Sequence, residues 1–238
     1  MDTGRKAPRI FMPVMIIMCL FLCSCTRTEF SIDQVSLQAT AVASHHVQEG
    51  FSTLSEGLAV VIGSSSFSAE EEYQVSVHDP SGTFSWEFVA KPTTVAEVPS
   101  IVKNDLLLPP DSTLESGAHE IELYLKDGRR LTRQVGFIRP DVHLDANLAR
   151  IAAFEPLSWD ADEDGTWFLH GIPASPETWT YTLYDRFGLP FFSCSADQEY
   201  IRLPEFEDPL FRERTGMITA VTLDAKTNIL LVLRTFLT

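Results

Sequence analysis

The chain has little cysteine and little positive charge, and each shortage closes off a class of protein. Of its four cysteines, Cys19, Cys23 and Cys25 crowd into the first 25 residues and only Cys194 lies beyond them. A disulfide scaffold is therefore excluded. Lys and Arg number 18 against 33 Asp and Glu, a formal net charge of −15, which makes nucleic acid an improbable partner. The apolar run Ile10–Leu22 is thirteen residues long and contains Pro13, well short of the roughly 20 residues that cross a bilayer as a helix. Nucleophile elbows of the Gly-x-Ser-x-Gly kind and glycine-rich phosphate loops are missing as well. What remains is ordinary: 45% hydrophobic and 21% charged residues exclude a wholly disordered, collagenous or polytopic membrane protein.

The amino-terminal segment reads as an address. Arg5, Lys6 and Arg9 precede the apolar run, and small or polar residues follow it at once, the layout of a secretory signal. The sequence Leu22-Cys23-Ser24-Cys25 then resembles the lipobox of bacterial membrane lipoproteins: an aliphatic residue at −3, a small one at −1 and cysteine at +1. That resemblance implies removal of residues 1–24 and lipidation of Cys25. Cys23 fits less well, because bulky Leu22 would stand at −1. With Thr26 rather than aspartate at +2, the resemblance also implies the outer membrane in a two-membrane bacterium. Removing the signal takes away three cations and one anion, so the exported part carries −17. Such a surface repels anionic headgroups, which leaves the acyl chains, at about 0.8 kcal/mol per buried methylene, to hold the protein.

Beyond a short tether, residues 25–32, alternation of apolar and polar residues dominates. Gly57–Gly63, Tyr73–Asp79, Thr83–Val89 and His119–Leu125 each read as strands, with turn chemistry at Asp79-Pro-Ser-Gly82 and Asp127-Gly128. Only two short helices are expected, one presenting Leu144, Leu148 and Ile151 on a face, the other capped by Asp208-Pro209. An internal repeat is also legible. Gly57-x5-Gly63, a loop, and Tyr73-x-Val75-x-Val77-x-Asp79-x-x-Gly82 match Gly165-x5-Gly171, a loop, and Trp179-x-Tyr181-x-Leu183-x-Asp185-x-x-Gly188. The stretch Leu114-Glu-Ser-Gly117 with His119, Ile121, Leu123, Leu125 and Asp127-Gly128 resembles the late strands of bacterial immunoglobulin-like modules. The expected fold is all-β, with two tandem immunoglobulin-like β-sandwich domains, 33–140 and 141–238, parted at Phe137-Ile-Arg-Pro-Asp141.

The sharpest chemical candidate is Asp160-Ala-Asp162-Glu-Asp164-Gly165, where alternate carboxylates could offer oxygen ligands to Ca²⁺. It is not an EF-hand, because Gly171 stands where the bidentate glutamate is needed; a solvated acidic turn is the competing reading. His119-Glu120 lacks the second histidine of a zinc protease, Leu123 occupying its place. His45 and His46 are adjacent and read as surface loop residues. The tryptophans Trp86, Trp159, Trp167 and Trp179 suit core strand positions better than a glycan or peptide cleft. Cys194, beside Phe191 and Phe192, reads as a small hydrophobe.

These readings converge on a lipid-anchored bacterial cell-envelope protein without a catalytic centre or cofactor beyond its lipid. It is expected to act as a binding or assembly module that presents loops or a sheet edge to another envelope protein or a polymer. Two alternatives stand beside it: a membrane-tethered, metal-dependent hydrolase using the acidic loop 160–165, and a structural spacer.

Overall fold

A computed structural model describes residues 30–171, 178–196 and 200–237. The signal segment 1–24, the proposed lipid-bearing Cys25 and most of the tether lie outside the described residues. Ile32–Thr238 forms one unit.

The first half builds eight strands. These are β1 (Gln34–His46), β2 (Phe51–Gly63), β3 (Tyr73–His78), β4 (Ser85–Ala90), β5 (Thr93–Val95), β6 (Val98–Leu107), β7 (Gly117–Tyr124) and β8 (Arg130–Phe137). Helix α1 (Asp141–Ala152) follows, then β9 (Ser158–Ala161), β10 (Trp167–His170), β11 (Trp179–Asp185) and β12 (Pro190–Ala196). A 3-10 turn at Pro204–Glu207 and helix α2 (Pro209–Arg214) lead into β13 (Thr215–Asp224) and β14 (Ile229–Phe236). The protein is thus mostly β. Helix α1 buries Leu144, Asn147 and Ile151 against β1 and β14, and α2 is capped by the Asp208 side chain, which accepts from the Leu210 amide.

Among the described residues three sheets form: β4-β3-β7-β8, β9-β10, and eight strands in the order β12-β11-β13-β14-β1-β2-β6-β5. The large sheet draws on both halves of the chain. They meet where β14 pairs with β1 in parallel, Val42 opposite Val232, while every other strand pair is antiparallel.

The sequence repeat has a counterpart in the strand order. In the first half a hairpin, β3-β4, is flanked by β7 and then β8; in the second a hairpin, β11-β12, is flanked by β13 and then β14. Both hairpins turn on the same chemistry. Asp79 Oδ1 accepts from the Phe84 amide and Asp185 Oδ1 from the Leu189 amide, while Gly82 and Gly188 supply the left-handed backbone at φ 71° and 76°. Only glycine adopts that conformation at little cost. The resemblance extends to the opposing layer, since β2 pairs with β1 and β6, and β10 pairs with β9 and, through Leu169, bridges to Ile201.

Alternation places the core. Val75, Val77, Ile121, Leu123, Leu58, Val60, Ile62 and Ile101 are buried in the first half, and Trp179, Tyr181, Leu183, Ile218, Leu231, Leu233, Leu157, Leu169 and Phe206 in the second. Trp86, on β4, donates its indole N–H to the Leu107 carbonyl of β6 at 2.8 Å, tying one sheet to the other. Within the boundary segment, Arg139 donates from Nε to Glu56 Oε2 at 2.9 Å and pairs through Nη2 with Glu56 Oε1. The guanidinium also reaches Asp141 and Asp145 in the first half of α1, and the Arg139 amide donates to Ser116 Oγ at 2.9 Å.

Candidate functional site

The large sheet curls, and its outer face encloses a groove of about 670 Å³. In a flat sheet, β6 and β14, separated by two intervening strands, would stand about 14 Å apart. Here Asp105 of β6 accepts from Arg234 of β14 at 2.7 Å and pairs with Lys103 at 2.7 Å, so an ion cluster spans the curl. A bulge explains how β6 reaches it. The register with β2 slips between Leu58 and Val60, leaving Ala59 opposite two residues, Asn104 and Asp105. Val102, Lys103, Asn104 and Asp105 all line the groove, four successive residues that a regular strand would send to alternate faces.

The opposite wall is rich in hydroxyls. Thr180 and Thr182 of β11 line the groove and meet Ser195 and Ser193 of β12 at 3.2 and 3.3 Å, and Thr219 of β13 lies beside them. Between the walls the lining is apolar: Met217, Val221, Leu230 and Val232, the last only 2% exposed. A concave face that combines an apolar floor, neutral hydroxyls and a few fixed charges can hold an extended ligand and orient it.

The acidic loop is held by its own hydrogen bonds and one ion pair. Asp162 Oδ1 accepts from the Asp164 and Thr166 amides, its Oδ2 pairs with Arg202 at 2.8 Å, and Asp160 accepts from the Ala161 amide. Among the described residues no three His, Cys, Asp or Glu side chains stand close enough to hold one metal ion.

Other residues singled out in the sequence fall as follows. His45 and His46 are not loop residues: both lie in β1, which His46 ends, and His45 is buried with Nδ1 on Ser52 Oγ at 2.7 Å. The His46 ring stacks between Phe51 and Phe236. Trp179 is fully buried, Trp159 packs edge-on against Phe206, and Trp167 lies under the Arg212 guanidinium at 3.8 Å. None of the four tryptophans lines the groove. Burial raises the pKa of the half-buried Cys194, which keeps the thiol protonated and a poor nucleophile. The sequence reading missed Lys103, Asp105 and Arg234. The last left a signal, for it is the lone charge in the apolar strand Ile229–Phe236.

His119 is wholly buried with its ring edge-on to Phe137, and burial pulls its pKa below the ordinary 6.5 against the opposing effect of the Gly117 backbone. The unfolded chain takes up this proton as pH falls through 6.5, while the folded chain resists until lower pH. Stability from this group is therefore complete above about pH 6.5 and declines below it. Thermal unfolding from about pH 7 to about pH 5 should show a falling melting temperature. His119→Phe should flatten that decline.

No protein-family model matches the chain, and no curated protein matches it either.

Proposed function

We propose that the protein is a non-enzymatic binding or assembly module, held by lipid on Cys25 to a bacterial envelope membrane, and that the groove of the large sheet receives its partner. The observation that carries this reading is the groove itself, with its apolar floor, hydroxyl wall and the Lys103–Asp105–Arg234 cluster. The partner is an extended segment of another envelope protein or a polymer. The finer architecture we read as two immunoglobulin-like modules sharing one sheet. The matched orders β4-β3-β7-β8 and β12-β11-β13-β14 support that reading, as does the pairing of β10 with β9 and Ile201 in the manner of β2 with β1 and β6.

The groove is tested by placing a photoreactive side chain at Thr180, which is exposed on the hydroxyl wall, and separately at Val89, exposed on β4. Illumination of cells making the full chain should yield adducts from Thr180 and not from Val89. Equal yields, or none, would replace this reading with that of a structural spacer. The anchor has its own test. Cys25→Ser should shift most of the protein from the membrane pellet to the soluble fraction and abolish incorporation of a labelled fatty acid.

A further inference from the structure

We infer that the groove selects an extended peptide segment carrying one carboxylate, with apolar side chains two and four residues away from it. This rests on the groove being the partner site and names what the partner must present there. Strand register sorts the groove face into rows that cross the sheet. In one row Thr182 stands opposite Thr219, and Thr219 opposite Arg234. Two residues along, the row is Thr180, Val221 and Val232, and two residues further Leu223 faces Leu230. Side chains on one face of a sheet repeat about every 6.8 Å, and an extended peptide repeats its own same-side residues at that distance. A segment running with the strands therefore meets the rows one side chain at a time. The first row is polar and ends in a charge, and the next two are apolar on β13 and β14.

Charge defines the first side chain. Among the described residues, Lys103, Asp105 and Arg234 are the charged ones that line the groove, two cations sharing one carboxylate. Arg234 is largely buried and pins Asp105, which in turn holds the Lys103 ammonium, 37% exposed, beside the polar row. One positive charge is left over, and the ammonium has donors to spare for a second carboxylate. The net charge of −15 does not cancel this. Spread over 14773 Å², it amounts to about one net charge every 30 Å, whereas about 8 Å suffices to screen exposed charges at physiological salt. Contact at Lys103 therefore decides the outcome. The hydroxyls of Thr180, Thr182 and Thr219 can each donate and accept, which suits the alternating N–H and C=O groups of a peptide backbone. A glycan fits less well, because among the described residues Tyr184 is the one aromatic side chain in the lining.

Two arms test this. In cells, the full chain carries the photoreactive side chain at Thr180 and Lys103 is varied. Lys103→Gln should cut the adduct yield by about tenfold while Lys103→Arg retains it, with the melting temperature unmoved in both. In the second arm, the purified full chain in neutral detergent is titrated with fluorescent peptides blocked at both ends, Ser-Glu-Ser-Val-Ser-Leu-Ser and its reverse, because register sets spacing and not direction. One order should bind, and changing its Glu to Gln, or its Val and Leu to Ser, should weaken binding by about tenfold or more. A third peptide, with a free terminal carboxylate in place of Glu, separates a chain end from a side chain as the source of the charge. Thr180 adducts that ignore Lys103, equal binding of the Glu and Gln peptides, or no binding of any carboxylate peptide below about 1 mM would each overturn the inference. Thr180 adducts that ignore Lys103 would still leave the groove as the partner site; absence of adducts with Lys103 intact would remove both.

Discussion

Replacing Arg139 with alanine is expected to lower the unfolding free energy by about 3–5 kcal/mol, the scale for stripping a buried carboxylate of its partner. Glu56 is 6% exposed and accepts from the Leu114 amide at 2.8 Å as well as from the Arg139 guanidinium. Without Arg139, its charge stays buried with one neutral donor. The pair gains in attraction what it loses in hydration, so its net contribution is far smaller than the cost of breaking it. Glu56→Leu combined with Arg139→Met should therefore recover most of the loss. Urea unfolding of the two single variants and the double variant measures this directly, and a double variant as unstable as Arg139→Ala would show that the ion pair itself is the stabilising element.

The other large effect is expected from Leu233→Ala. Leu233 is fully buried on β14 between Ala43 of β1 and Ala220 of β13, and truncation should cost about 2–5 kcal/mol. Where the cost is felt distinguishes two pictures of the molecule. If the shared sheet couples the halves, native-state hydrogen exchange should show the amides of β3 and β7 losing protection together with those of β13. If only β13 and its neighbours weaken, the halves unfold independently and the β1–β14 pairing is a contact rather than a common core.

Much of the local structure was legible because its signals are local. Alternation at Tyr73–Asp79 and His119–Leu125 marked β3 and β7, and the apolar face of Leu144 and Ile151 marked α1. The Asp-x-x-Gly turns were visible because aspartate accepts from the amides ahead of it and glycine takes the positive φ. The shared sheet was not legible, since the pairing of Thr40 with Leu230 leaves no trace in either neighbourhood. Nor was the groove, which depends on a one-residue bulge opposite Ala59 and on curvature accumulated across several strands. The acidic run 160–165 shows what composition leaves open, the local partners of each carboxylate. Its composition suits a cation, and in the fold Asp162 accepts from the amides of its own turn and pairs with Arg202.

The parallel pairing of β1 with β14 also sets an order of events. A ribosome makes β1 well before β14, with roughly 190 residues between the paired positions. Until β14 emerges, one edge of β1 lacks this neighbour, and slow, distant closure is the step at which a nascent chain is open to mispairing and proteolysis. A messenger truncated just before Ile229 would therefore yield not a slightly shortened protein but one whose earliest strand never acquires its second neighbour.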